Sequence, residues 1–181
     1  VQVLKKELKL KKVKNWNGFK FKGTLMVIGE QGLGDYVLFG SMLKDLIKAH
    51  EKITLMINER LLSLFERSFP KINFIKFDSN IHKYNYEKYV FMGSLGKYFR
   101  KNLQSFPKNQ NSFLIPDKKN VQQFRKRLSN SKMKKIGLSW KTDSFNNREE
   151  RSINLINFKS IFKVNDFRLI NLQYGNTQNE R

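Results

Sequence analysis

The sequence contains no cysteine, which excludes a disulfide scaffold and a thiolate-ligated metal site. Histidine is scarce: His50 and His82 are the only two, and their separation argues against a His-rich metal centre. No apolar run approaches the roughly 18 residues that a membrane-spanning helix needs. Acidic residues are few. Asp and Glu total 15 against 36 Lys and Arg, so the 181-residue chain has a formal charge of +21. The chain opens on Val without a signal-peptide pattern, and it is expected to be a piece of a longer protein.

What is present can build a core. Hydrophobic residues make up 39% and aromatic residues 13%, and a chain of this length buries roughly 70% of the surface it exposes when unfolded. General disorder is therefore not expected. The length predicts one domain, or one and a part.

The charge makes nucleic acid, or another polyanion, the first partner to test. Such binding would weaken with salt. The cations are nonetheless dispersed over the first 22 residues, 97–101, 118–127 and 132–135. Lysine dominates, and the abundance of Lys, Asn, Phe and Ile also fits an AT-rich coding background. A solvated lysine surface is the plain reading and a polyanion-binding face the functional one, because net charge speaks to association and not to fold.

Residues 1–15 are basic with interspersed Val and Leu, and predict a short helix end or an extended arm. Residues 24–28 (TLMVI), 52–57 (KITLMI) and 72–77 (INFIKF) are short apolar runs that read as strands, the first as a buried parallel strand. Between them, Phe39, Met42, Leu43, Leu46 and Ile47 recur at helical spacing, and 59–69 predicts a second helix stopped by Pro70. Strand–helix alternation of this kind calls for a parallel sheet. Residues 89–92 (YVFM) predict a fourth strand, followed by a weak helix to Leu103. Residues 106–110 and 112–116 read as loop and a short extended piece. Residues 118–128 (KKNVQQFRKRL) predict a basic helix, after which the rhythm restarts: strand 135–139, helix 155–162, strand 167–172. The expected organisation is a domain over 1–116, a linker helix over 117–133, and the start of a second domain over 134–181. One strand–helix–strand is too little to close a sheet of its own.

In an open parallel sheet, ligands sit outside the carboxyl ends of the strands. The loop after the first apolar strand, GEQGLGD at 29–35, is the first such place. Gly29, Gly32 and Gly34 permit positive φ and close backbone approach, and the following helix offers free N–H groups. The dinucleotide fingerprint is absent, since Gly34 is followed by Asp35, Tyr36 and Val37. No Lys-Ser or Lys-Thr completes a phosphate-binding loop. Asp35 reads either as a helix cap or as a carboxylate that takes a proton from an acceptor hydroxyl.

Trp16-Asn17-Gly18, Gly23 and the segment 26–35 (MVIGEQGLGD) resemble bacterial glycosyltransferase domains that often follow tetratricopeptide repeats. These are similar to the heptosyltransferase family, whose GT-B architecture has two facing Rossmann-like domains. Residues 136–141 (IGLSWK), 147–155 (NREERSINL) and 171–175 (NLQYG) look like the opening of the second domain in the same proteins. The resemblance implies an α/β, Rossmann-like parallel sheet as the acceptor-side domain, plus the first strand–helix–strand of a second, donor-side domain.

The implied activity is transfer of a sugar from a nucleotide-sugar donor to an acceptor hydroxyl on a glycan, lipid-glycan or protein. Asp35 would be the base. Arg151, with Lys141 and Ser152, would hold the donor diphosphate, and cations there can stabilise the departing diphosphate without a metal. Absence of an Asp-x-Asp motif agrees with a metal-independent route, with no cofactor beyond the donor. Gly29, Gln31, Gly32, Gly34 and Ser94 would line the acceptor side. Upstream tetratricopeptide repeats are an implied partner, and the expected location is the cytoplasm at the inner membrane surface.

Each of these residues has a plainer role. Trp140 can pack in a core and Lys141 can be surface charge. Arg148 and Arg151 can pair locally with Glu149 and Glu150, while Gln31 and Ser94 can complete turns. His82 reads as a surface residue, and His50 as a helix-terminal one. Tyr84, Tyr86, Tyr89 and Phe91 read as core and rim, or as a stacking surface for an acceptor sugar. Two rival functions follow: a non-catalytic binder of nucleic acid or anionic glycan, and a degenerate transferase fold kept as an interaction module.

Overall fold

A computed structural model describes residues 8, 10, 13–30, 32–78, 80–108, 112–129, 133–142, 150–163, 166–175 and 177. The chain divides into two compact units, Val1–Lys118 and Lys119–Arg181.

The first unit contains strands β1 (Lys14–Asn15), β2 (Leu25–Ile28), β3 (Ile53–Ile57), β4 (Asn73–Lys76) and β5 (Lys88–Phe91). They form one sheet in the order β1-β5-β2-β3-β4, with every neighbouring pair parallel. The α/β alternation read from the sequence thus produces the parallel sheet it predicts. Helices α1 (Leu33–Gly40), α2 (Leu43–Ala49), α3 (Leu62–Ser68) and α4 (Gly96–Phe99) lie between and after the strands.

Successive side chains of a strand point to opposite faces. Leu25, Val27, Leu55 and Val90 face one side and pack with Tyr36, Leu43, Leu46 and Phe65 from the helices. Met26, Ile28, Met56 and Phe91 face the other and pack with Leu8, Leu10 and Ile81. Both faces of β2 and β3 are therefore covered and every residue in them is buried. This is why their sequences are apolar apart from Thr54, whose hydroxyl oxygen accepts from the Asn73 side-chain amide at 3.3 Å. The basic opening segment contributes to this core through Leu8 and Leu10, and the edge strand β1 follows it.

The helical spacing over 39–47 resolves into two helices. Ser41 and Met42 separate α1 from α2, and the Ser41 hydroxyl donates to the Leu38 carbonyl at 2.8 Å, competing for the preceding turn. His50 follows α2 and is buried; its Nε2 lies 3.1 Å from the Gly23 carbonyl and its ring stacks on Phe21 at 4.4 Å. Positive φ is required at Gly18 (92°) and Gly23 (123°), where a side chain would also strike Tyr98 and Glu87 respectively. Trp16 is buried beside Gly18. Its indole N–H donates to the Phe19 carbonyl at 2.9 Å, and the Tyr98 hydroxyl donates to the Trp16 carbonyl at 2.6 Å.

Helix α5 (Lys118–Leu128) begins at the end of the first unit and continues in the second, which also holds β6 (Lys134–Leu138), α6 (Lys159–Phe162) and β7 (Phe167–Asn171). β6 and β7 form a two-stranded parallel sheet. Among the described residues of this unit, Trp140 is the buried apolar side chain.

Candidate functional site

In the first unit, β2 lies between β3 and β5, so the chain leaves β2 toward one side and later returns to the other. The strand order reverses there, and such a reversal opens a crevice at the carboxyl ends of the two strands. Ile28 is paired with Phe91, so the β2 loop and the β5 loop emerge together. This brings Gly29, Gly32, Gly34 and Asp35 to the same end of the sheet as Ser94. Gln31 lies outside the described residues.

Asp35 is exposed in the first turn of α1. It is not the cap: Gly32 holds that position, no side chain caps the helix, and the Asp35 backbone N–H donates to the Gly32 carbonyl at 3.1 Å. A Cβ at Gly32 would lie 2.6 Å from Asp35 Oδ2, so glycine is what lets the carboxylate fold back over the loop. The loop glycines do not adopt the positive φ that the sequence suggested. At Gly29 and Gly32 the reason is close approach, clearest at Gly29, where any side chain would run into the Tyr36 ring. Gly34 faces open space. Ser94 is half-buried within a 3-10 turn over Met92–Leu95.

Two residues of this crevice escaped the sequence reading. Glu30 Oε2 accepts the Gly93 backbone N–H at 2.6 Å, linking the two loops across the crevice. A side chain at Gly93 would strike that carboxylate. Tyr36 is buried against Gly29. Burial pushes its phenol from 10.0 up to about 12; a backbone hydrogen bond from Asn58 opposes the rise, and the nearby Glu30 charge adds to it. The available signal was the charged residue held between a strand end and two glycines. Its partner, 63 residues away, was not visible.

In the second unit, the carboxyl ends of β6 and β7 are joined by the buried Gln173. Its side-chain oxygen accepts from the Ser139 hydroxyl (3.2 Å) and from the backbone N–H groups of Trp140 (2.9 Å) and Lys141 (3.0 Å). Its side-chain nitrogen donates to the carbonyls of Lys141 and Tyr174, both at 2.9 Å. The Thr142 N–H donates to Ser152 Oγ at 3.2 Å and the Ile153 N–H to the Trp140 carbonyl at 2.8 Å. Lys141, Arg151 and Ser152 are therefore brought to one loop cluster. Arg151 is exposed and Lys141 half-buried. Trp140 is 6% exposed, which fits packing and leaves little face for stacking. Arg148 and Glu149 lie outside the described residues. His82 is exposed, while Tyr89 and Phe91 are buried in the second face of the sheet.

No group of three or more His, Asp or Glu that could hold a metal occurs among the described residues. Nor, among them, is any helix long and apolar enough to cross a membrane.

Comparison with known proteins finds similarity to Protein FlbA of Caulobacter vibrioides, 29% identical over 184 aligned residues. The match covers 91% of this chain and 31% of that protein, so the chain spans about a third of the length of the curated relative it matches. No family model matches the chain, and no solved structure does.

Proposed function

We propose that this chain is the acceptor-side domain, with the opening of a donor-side domain, of a heptosyltransferase-like GT-B glycosyltransferase acting without a metal. Asp35 takes the proton of an acceptor hydroxyl as that oxygen bonds to the anomeric carbon of a nucleotide sugar. The carbon–oxygen bond to the diphosphate breaks, and the diphosphate leaves with the electron pair. Arg151 and Lys141 balance its charge, and Ser152 contributes a hydroxyl. Gly29, Gln31, Gly32, Gly34 and Ser94 form the acceptor side. The acceptor is a glycan, lipid-glycan or protein, presented in the cytoplasm at the inner membrane surface, and tetratricopeptide repeats are a further partner.

The observation that carries this reading is Asp35 itself: an exposed carboxylate in the first helical turn after a central parallel strand, at the crevice where the strand order reverses. The test is Asp35→Asn assayed for sugar transfer in the protein that carries this chain. Loss of a positioned base predicts a fall of about 10²–10⁴-fold with an unchanged circular dichroism spectrum. Unchanged turnover overturns the assignment.

The alternative reading, a non-catalytic binder of nucleic acid or another polyanion, draws on the charge of +21. Binding that follows counterion release and ignores nucleotide sugar would favour it.

A further inference from the structure

Helix α5 has the composition and exposure of an interfacial helix. Its 11 residues, KKNVQQFRKRL, include five cations and no acid, and none of them is buried. At 100° per residue, Val121, Phe124 and Leu128 fall on one narrow stripe. Lys118 and Arg125 border that stripe on one side and Arg127 on the other, while Lys119 and Lys126 project opposite. Phe124 is 58% exposed, and the Arg127 guanidinium lies 6.0 Å from the centre of its ring.

We infer that α5 is a contact surface for an anionic phospholipid bilayer, lying in the headgroup plane. The exposed Phe124 would enter the acyl boundary, flanked by the half-buried Val121 and Leu128. Arg125, Arg127 and Lys118 would rise along their stems to the lipid phosphates. Charge complementarity identifies the occupant: the helix has no acidic residue to repel phosphate, and each cation near such a surface adds attraction. The stripe separates a bilayer from a nucleic acid. A duplex neutralises cations but leaves an exposed Phe-centred stripe with nothing apolar to enter, whereas a bilayer satisfies both sectors of one helix. This inference stands apart from the sugar-transfer reading, since no donor or acceptor takes part.

The test is flotation of the 181-residue chain with vesicles of phosphatidylcholine alone, or of phosphatidylcholine mixed with phosphatidylglycerol. Binding is expected to the mixed vesicles only. Replacing Arg125, Lys126 and Arg127 together by Gln should lower partitioning about 10²-fold. Phe124→Ser, at an exposed position, should lower it about tenfold, with circular dichroism verifying that each variant is folded. Phe124→Trp should add emission that shifts to the blue on mixed vesicles and is quenched by brominated lipid. Equal binding to both vesicles overturns the inference. So does added emission from the Phe124→Trp variant that brominated lipid leaves unquenched, or a Phe124→Ser protein that binds mixed vesicles as well as the parent. If single-stranded RNA displaces the chain from vesicles and Phe124→Ser weakens only the RNA complex, the surface is a nucleic-acid face.

Discussion

The first unit buries its two central strands on both faces, whereas the second leaves its two strands mostly in solvent. The sequences of the two sheets both carry apolar residues: LMVI and ITLMI against KKIGL and FRLIN. Leu55 is 0% exposed in β3, while Ile136 is 41% exposed in β6. The difference lies in what covers the strands. The first sheet has helices on one face and residues 8, 10 and 81 on the other. In the second unit, order is concentrated at the carboxyl ends of the strands, where a single amide side chain ties two loops together. Apolar sequence thus marks a strand, but burial depends on the supply of covering elements.

The sharpest way to break this contrast is to cut matching side chains. Leu55→Ala should cost about 3–4 kcal/mol of stability in chemical denaturation, while Ile136→Ala should cost about 1 kcal/mol or less. Equal costs would mean that β6 is covered. Next in size, Gln173→Ala leaves the Trp140 and Lys141 N–H groups without their side-chain acceptor. A loss of about 2–3 kcal/mol is expected, confined to the second unit and read as faster amide exchange at those two residues. Loss of protection in β2 and β3 as well would show that the two units unfold together.

A smaller, paired effect concerns the glycines of the 29–35 loop. Gly29→Ala should destabilise the first unit by about 1–3 kcal/mol, because the new methyl meets the Tyr36 ring. Gly34→Ala, inside α1 with open space around it, should stabilise by about 0.5–1 kcal/mol. Melting of the two variants side by side tests both signs.

The Tyr36 phenol sharpens the comparison through pH. The unfolded chain releases that proton near pH 10.0, the folded chain near 12. The stabilisation is complete below pH 10 and is lost as pH rises toward 12. Tyr36→Phe should abolish this part of the alkaline decline and remove the latest phenol ionisation from an ultraviolet titration. An unchanged titration would show that another tyrosine is responsible.

Local chemistry explains what was legible in the sequence. Runs such as TLMVI and KITLMI announced strands because a strand covered on both faces is apolar nearly throughout and lacks alternating polar positions. The 118–128 helix matches its prediction residue for residue, since its 3.6-residue pattern and the Ser129 stop are local signals. The pairing of Lys14 and Asn15 with β5 was not legible, because two polar residues carry no strand period. The same holds for the site. Asp35 and the glycines stand out in the chain, and Lys141 and Ser152 stand near recognisable segments. Glu30, Tyr36 and Gln173 gain their roles from partners far away in sequence: the Gly93 amide, the Asn58 backbone and the Ser139–Lys141 turn. Long-range hydrogen bonds leave no periodic trace.

The Glu30 contact across the first crevice has a consequence for what can enter there. A phosphate arriving between the two loops would meet a negative charge already seated on the amide it would want, with a second acid exposed nearby on the same loop. A neutral polyol would instead find carboxylate oxygens ready to receive its hydroxyl protons. The carboxylate at this crevice therefore disfavours anionic guests and leaves uncharged, hydroxyl-bearing ones unopposed.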